Sequence, residues 1–326
     1  MRIIKTLLWV AVYMAGCFNT AAIAQSAATY PAKPIRLVVP FPPGSGTDIL
    51  ARILAQEMSK SWKQTVVVDN RPGASTIIGT DIVAKAPPDG YALVMASNNH
   101  AINSTLFAKL PFDPVKDFTP VGQIAVLPFM LVVNPALPVN NVKDLLDLAL
   151  AKPGKLNYAS TGNGTPPHVA AELLKQQAGI NLLHIPYKGS ADAVTAVISG
   201  TVSVMFANTL SVLSQVRAGR LRALAVGSPQ RIAIAPELPT VAESGFPGFD
   251  VNLWAGILAP ANTPKDIVAK LNNEIVRILG LPDVQKNFAA QGAEITPSTP
   301  EQFAKFINDE IDRLGKVAKV ANMHAD

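Results

Sequence analysis

Two loops, far apart in the chain, have the composition of an anion-binding site. Residues 40–48 read PFPPGSGTD and residues 160–168 read STGNGTPPH; both combine glycine with small hydroxyl side chains, and neither contains lysine or arginine. Where such a loop leads into a helix, the first N–H groups and the positive end of the helix dipole attract an anion. The two loops therefore predict that a small carboxylate is held by backbone dipoles and hydroxyls rather than by a salt bridge.

Short strands and amphipathic helices have to position these loops. The first loop follows the β-branched run Ile35–Val39, and the second follows Leu156–Ala159. Further strand candidates are Thr65–Val68, Ala92–Ala96, Phe129–Val133, Val202–Phe206 and Leu221–Val226. Apolar residues three or four positions apart, as in the series from Leu50 to Trp62, predict helices between several of them. This alternation predicts parallel sheets covered on both faces, with ligands bound outside the carboxyl ends of the strands.

If each of two lobes contributes one loop, the ligand is clamped in a cleft that closes by a hinge. The glycines at positions 44 and 164 would let the backbone approach the ligand, and Thr47 and Thr165 would cap the two helices. The candidate ligand-binding residues are Phe41, Gly44, Ser45, Thr47, Asp48, Ser97, Asn98, Ser160, Thr161, Gly162, Asn163, Gly164, Thr165, His168, Tyr187 and Asn208.

Several of these residues also have a purely structural interpretation. Asp48 either caps its helix or accepts a hydrogen bond from a ligand amine or hydroxyl. His168 either bonds the neighbouring loop or contacts the ligand, and Tyr187 either packs in the cleft wall or faces the ligand. Asn208 follows a strand and is equally explained as a turn residue. The sequence leaves these alternatives open, whereas Thr165, placed before two prolines, is predicted to be an N-cap.

The first residues predict export. Two basic residues precede an apolar stretch, residues 7–18, that is too short to span a membrane, and an A-x-A cleavage site ends at Ala24. We therefore expect residues 1–24 to be a signal peptide and the mature chain to begin at Gln25 in the periplasm. The alternative is a lipoprotein anchored through Cys17, because residues 14–17 resemble a lipobox. Loss of the signal peptide removes two cations and the single cysteine, and lowers the net charge from +5 to +3.

Composition and motifs argue against several classes of function. Charged residues make up 16% of the chain and form no basic run, so no nucleic-acid partner is expected. The first loop lacks the Lys-Ser/Thr of a P-loop, the second has proline where a third dinucleotide-binding glycine belongs, and no G-x-S-x-G elbow occurs. The histidines, His100, His168, His184 and His324, lack metal-ligand spacing, so we expect neither a metal nor a cofactor. A periplasmic hydrolase assembled from distant residues remains the enzyme alternative.

Six motifs, in order along the chain, resemble one family of receptors. Besides the two loops they are NRPGA at 70–74, PDGY at 88–91, PYKG at 186–189 and LPTVAESG at 238–245. From about Tyr30 onward the chain resembles the extracytoplasmic solute receptors of tripartite tricarboxylate transporters, the Bug receptors. Two stretches depart from the family pattern: Gly44-Ser45-Gly46 replaces the usual glycine pair, and residues 74–79 read ASTIIG where relatives are rich in glycine.

The resemblance implies an α/β protein with a type II periplasmic-binding-protein fold: two α/β lobes with mainly parallel sheets, a ligand cleft between them and two crossovers. Together with the strand pattern it places lobe 1 in residues 25–125 and 229–326 and lobe 2 in residues 126–228. It also implies a small carboxylate ligand, delivery to integral membrane transporter subunits, and recognition through backbone and water. We expect a monomer. A receptor that presents its ligand to a membrane signalling partner is the alternative, because the same cleft would serve both roles.

Overall fold

The computed structural model describes residues 29–321 and residue 323. The predicted signal peptide, Cys17 and His324 lie outside these residues. The helices are α1 (Gly46–Trp62), α2 (Ile77–Ala84), α3 (Asn98–Leu106), α4 (Val142–Ala151), α5 (Pro166–Ala178), α6 (Ser190–Ile198), α7 (Thr209–Arg217), α8 (Lys265–Leu279), α9 (Pro282–Ala290) and α10 (Pro300–Val320). The strands are β1 (Ile35–Val39), β2 (Val66–Asn70), β3 (Ala92–Ala96), β4 (Phe118–Val133), β5 (Asn157–Ser160), β6 (Leu183–Pro186), β7 (Val204–Asn208), β8 (Arg222–Val226), β9 (Asn252–Pro260) and β10 (Glu294–Ile295). None of the helices in the described part of the chain is both long and apolar enough to cross a membrane.

The long strand β4 joins the two halves of one mixed sheet. The strand order is β2-β1-β3-β9-β4-β7-β5-β6, and β8 and β10 also pair with β4. The outer pairs are parallel, whereas the pairs made by β4 and β9 are antiparallel. β4 pairs with β9 as far as Pro128 and with β7 from Phe129 onward. Because proline cannot donate to a strand ladder, Pro128 suits the point where one pairing ends and the chain passes into the second lobe.

Each half of the sheet is buried on both faces. In β1, Leu37 and Val38 pack in different hydrophobic clusters, and in β4 the same is true of Leu131 and Met130. Since successive residues of a strand point to opposite faces, a strand covered on both faces is apolar throughout. The four clusters, two in each lobe, therefore confirm the two-lobed α/β architecture and explain the uninterrupted apolar runs.

Residues 229–251 pack on the second lobe. Phe249 and Val251 are fully buried in the hydrophobic cluster that contains Phe129 and lies in lobe 2. The strand pattern and the family resemblance assigned this stretch to lobe 1. We propose that the second crossover lies between Val251 and Leu253, where Leu253 contacts the cores of both lobes, rather than near Ser228.

Candidate functional site

The first loop ends in a helix cap supplied by Ser45. The Ser45 hydroxyl accepts the N–H of Asp48 at 3.2 Å, and the extended backbone of Ser45 is that of an N-cap residue. Gly44 precedes it with a φ of +79°, a conformation that favours glycine. Thr47 lies buried in the first turn, so the prediction that Thr47 caps the helix is wrong. In the described part of the chain the N–H groups of Gly46 and Thr47 have no hydrogen-bond partner, so the N-terminus of α1 retains donors for a ligand.

Asp48 is bonded within lobe 1. Its buried carboxylate accepts hydrogen bonds from three donors: the N–H of Gly44 at 2.8 Å, Nδ2 of Asn70 at 2.8 Å and Nε of Arg52 at 2.9 Å. Burial alone would raise the pKa of the carboxyl group, but these hydrogen bonds and the charge of Arg52 hold the pKa below its ordinary value. The geometry therefore supports a structural role, in which Asp48 fastens the loop to the end of β2.

The turn between β3 and α3 contains an unpaired buried hydroxyl. Ser97 is 2% exposed and occupies the N-cap position of α3, yet its Oγ has no partner among the described residues. Its neighbour Asn98 is used by the fold, because Nδ2 donates to the Asn252 carbonyl at 2.9 Å and Oδ1 accepts the N–H of Trp254 at 3.1 Å. An unsatisfied buried hydroxyl is unfavourable, so Ser97 is better suited than Asn98 to bind a polar ligand.

A left-handed turn follows β2 in the stretch that departs from the family pattern. The three residues of Ala74–Thr76 have φ values of 44°, 52° and 78°, which are rare for residues other than glycine. Two side chains of α3 hold this turn: Asn99 Nδ2 donates to Ser75 Oγ at 3.0 Å, and Asn103 Nδ2 donates to the Ser75 carbonyl at 2.7 Å. Strain held in this way is common at ligand sites, and we propose that the turn forms part of the cleft wall.

In the second loop the glycine N–H groups are already bonded. Gly162 N–H donates to Ser160 Oγ at 3.1 Å, and Gly164 N–H donates to His168 Nδ1 at 3.0 Å. Thr165 occupies the predicted N-cap position of α5, but its hydroxyl donates to the Gly162 carbonyl at 2.7 Å and caps no N–H group. The prediction that these glycines offer free N–H groups to a ligand is therefore wrong. Because α5 begins with Pro166 and Pro167, which carry no N–H group, its N-terminus contributes mainly the positive end of the helix dipole.

Each loop places a glycine against a leucine of the opposite lobe. Gly164 has a φ of +71°, and a Cβ at this position would overlap Cδ1 of Leu106 at the end of α3. Val169, further along α5, packs in the same lobe 1 cluster as Leu106. A Cβ at Gly46 would lie 3.7 Å from Cδ2 of Leu210 in α7. The missing Cβ of Gly164 thus makes room for Leu106 rather than for a ligand, and both loops lie where the lobes meet.

His168 is a neutral hydrogen-bond acceptor. Burial, together with the neighbouring His184 and Lys175, lowers its pKa to about 3. Because Nδ1 accepts the N–H of Gly164, the proton of the neutral ring lies on Nε2. This contact supports the structural interpretation of His168, in which the side chain bonds its own loop.

Tyr187 and Asn208 also have structural roles. The N–H of Tyr187 donates to the Ser160 carbonyl at 3.0 Å, and its side chain packs against one of the lobe 2 clusters. Asn208 ends β7 and caps α7, because its Oδ1 accepts the N–H of Ser211 at 2.9 Å. These contacts leave part of each side chain available, so we keep both residues in the proposed ligand-binding site.

The predicted residues form one set in each lobe. The lobe 1 set, at the carboxyl ends of β1 and β3, is Phe41, Gly44, Ser45, Thr47, Asp48, Ser97 and Asn98. The lobe 2 set, at the carboxyl ends of β5, β6 and β7, is Ser160, Thr161, Gly162, Asn163, Gly164, Thr165, His168, Tyr187 and Asn208. No group of three or more side chains suited to a metal ion occurs among the described residues.

Two residues that organise the loops escaped the sequence analysis. Asn70 donates to both the Phe41 carbonyl, at 3.1 Å, and Asp48; its place in the NRPGA motif at a strand end was the available signal. His184 lies 2.6 Å from Ser160 Oγ and pairs in register with Tyr158. It could be found only by predicting β6, a strand of four residues that carries no alternating pattern.

Two α/β lobes, two crossing segments and helix N-termini at the facing edges define a two-lobed solute receptor of the periplasmic-binding type. The chain belongs to the tripartite tricarboxylate transporter family of receptors, whose family model matches residues 50–323.

Individual relatives agree with this assignment. Protein BugT of Bordetella pertussis is 40% identical over 304 residues, covering 92% of this chain and 93% of BugT. The structure of R. palustris Rpa4515 with adipate is 36% identical, with a TM-score of 0.84 over 90% of this chain and 99% of that one. MatC from Rhodopseudomonas palustris with bound malate is 31% identical, with a TM-score of 0.79 over 88% of this chain and 99% of that one.

Proposed function

We propose that this receptor captures a small dicarboxylate between its lobes and delivers it to the integral membrane subunits of a tripartite transporter. The observation that carries the proposal is that helix N-termini follow strand ends in both lobes, beside a buried Ser97 hydroxyl that has no partner among the described residues. The helices α1 and α3 begin at the cleft edge of lobe 1, and α5 begins at that of lobe 2. Positive helix ends and hydroxyl donors suit carboxylate oxygens, and the ligands in the two Rhodopseudomonas structures are both dicarboxylates.

The two arginines near the first loop are engaged elsewhere, which favours recognition without an ion pair. Arg52 is paired with Asp48 at 2.9 Å, and Arg71 is paired with Asp69 at 2.9 Å. Lys188 follows Tyr187 at the cleft edge and is exposed to solvent. The negative charge of the ligand would therefore be balanced mainly by helix dipoles and N–H groups.

A thermal-shift screen of the mature protein tests the proposal. The panel contains malate, adipate and other dicarboxylates of four to six carbons, with the neutral diamide of each as a matched control. At a hundredfold excess over the dissociation constant, a ligand stabilises the protein by about 2.7 kcal/mol, which gives a clear shift. A shift with the diamides equal to that with the acids, or a response only to other ligand classes, would contradict the proposal.

Lys188→Ala should weaken dicarboxylate binding by about 1 kcal/mol or less, because an exposed charge in water contributes little. Calorimetric titration of the variant and the wild type measures the difference. Complete loss of binding in this variant alone would demonstrate a direct ion pair and contradict recognition by backbone dipoles.

We also propose that the receptor is exported and binds rather than catalyses. Ser160 and His184 Nε2 have the spacing of a nucleophile and its base, 2.6 Å, but Ser160 is fully buried and its hydroxyl donates to the Gly162 carbonyl. A nucleophile has to reach its substrate, and this arrangement prevents that.

The mass of the purified mature protein should correspond to a chain that begins at Gln25, as cleavage after the A-x-A site requires. Intact-mass spectrometry of protein isolated from the periplasm checks this. A diacylglycerol-modified Cys17 would show that the lipobox is processed instead.

A further inference from the structure

Two histidines of lobe 2 are stacked directly behind the second loop. The ring centroids of His168 and His184 are 4.0 Å apart and their planes differ by 15°. Tyr158 stacks on His184 at 4.8 Å, and its hydroxyl donates to Glu172 at 2.5 Å. Lys175 binds the same carboxylate at 2.6 Å, so the cluster is anchored to α5.

Each imidazole acts on a different glycine of the loop. His168 Nδ1 accepts the N–H of Gly164 directly. The hydroxyl of Ser160 accepts the N–H of Gly162 and donates to the Gly162 carbonyl, so its single proton is already used. The contact between Ser160 Oγ and His184 therefore has His184 Nε2–H as its donor. His168, whose Nδ1 accepts a hydrogen bond, is neutral with its proton on Nε2.

We propose that the stacked His168–His184 pair is a clasp that fixes the backbone of the second loop in its ligand-binding shape. His168 acts on Gly164, and His184 acts through Ser160 on Gly162. Both are positioning residues that need not touch the ligand. The effect on affinity rests on the proposed receptor function, whereas the effect on the loop itself does not.

Paired substitutions separate the hydrogen bonds from the ring packing. His168→Asn keeps an acceptor at the place of Nδ1, whereas His168→Phe keeps a ring and loses the acceptor. His184→Gln keeps an N–H donor at the place of Nε2, whereas His184→Phe loses it. His100→Phe is the control for removing a buried histidine, since His100 lies in lobe 1 and bonds the Pro114 carbonyl.

Hydrogen exchange of the loop amides is measured without ligand, so it tests the clasp even if the receptor proposal fails. Both phenylalanine variants should exchange about tenfold faster at the loop glycines, the factor expected for one lost hydrogen bond, and the asparagine and glutamine variants should largely restore protection. The control should leave these amides unchanged. Equal exchange in wild type and in both phenylalanine variants would overturn the clasp, as would a His168 ring that NMR shows protonated on Nδ1 at pH 5.

Titration with the dicarboxylates of the panel then tests the consequence for binding. The two phenylalanine variants should lose about tenfold in affinity and the two conservative variants much less. Faster exchange with unchanged affinity would overturn the positioning role while leaving the receptor function intact. Failure of the wild type to bind any dicarboxylate, with loop protection as predicted, would reject the receptor proposal and leave the clasp standing.

Discussion

Asp48→Ala should destabilise the protein by about 3 kcal/mol, because it removes a buried charged acceptor of two hydrogen bonds that shape the first loop. Gly44 N–H and Asn70 Nδ2 both depend on this carboxylate. The Arg52 side chain is 53% exposed and turns readily to water, so loss of its ion pair adds little. Urea unfolding followed by circular dichroism measures the effect. Arg52→Ala is the matched control and should cost about 1 kcal/mol or less.

The same contacts give the Asp48 effect a defined dependence on pH. The native environment holds the pKa of Asp48 below its ordinary value of 3.8, so the folded state favours the charged form. The stabilisation is therefore complete above that value and is lost as the pH falls through the lower native pKa. The stability difference between wild type and Asp48→Ala should narrow only in strong acid. A difference that stays constant down to such pH, or one no larger than that of Arg52→Ala, would show that the carboxylate does not hold the loop.

Gly164→Ala should cost about 3 kcal/mol, from a left-handed backbone that disfavours alanine and from overlap of the new Cβ with Leu106. The sequence analysis placed this glycine at the ligand cleft, where its missing side chain would let the backbone approach the ligand. The structure places it against lobe 1, so the change affects the contact between the lobes as well as the loop.

A double-mutant cycle with Leu106→Ala separates the two causes. Leu106→Ala alone should cost about 2 kcal/mol or more, as truncation of a buried leucine does. In the double variant the overlap is absent, so its loss of stability should be about 1 kcal/mol smaller than the sum of the losses in the two single variants. The cost of the left-handed backbone remains. Gly44→Ala serves as the comparison, since Gly44 has a similar φ of +79° but no atom within 4 Å of the added Cβ. Strict additivity would show that Leu106 is not the obstacle.

The parts of the fold that follow from local pattern could be predicted from the sequence. β1 and β3 have the predicted bounds, because a strand buried on both faces is a continuous apolar run. β9 was not predicted, since its centre is Trp254-Ala255-Gly256 and it ends in proline. Gly256 is required by tertiary packing: a Cβ there would overlap the ring of Phe303 from α10. A residue whose type is required by packing against a residue far away in the sequence adds no periodic pattern to the strand.

The candidate site, too, could be predicted from the sequence only in part. The loops were recognisable because glycine, hydroxyl residues and helix starts are adjacent in sequence. The bonds that shape them join residues far apart, as from Asn70 to Asp48 and from His184 to Ser160. Composition also could not show that the glycine N–H groups would be taken by neighbouring side chains, because this depends on ring and carboxylate positions set by the fold. The second crossover, predicted near Ser228, is hard to place from sequence for a related reason, since residues 229–251 carry no helix or strand of their own.

Closure of the lobes on a dicarboxylate tests the central claim most directly. Small-angle scattering is recorded for the wild type and for Gly44→Val, with and without the dicarboxylate that gives the largest thermal shift. Circular dichroism first verifies that both proteins are folded. A ligand changes the open–closed equilibrium only as far as it prefers the closed state, so one held by both loops must favour closure. We predict a smaller radius of gyration for the liganded wild type and little change for Gly44→Val, whose first loop is distorted. Normal binding and compaction in Gly44→Val would show that the first loop is not part of the site and would contradict a clamp built from both lobes.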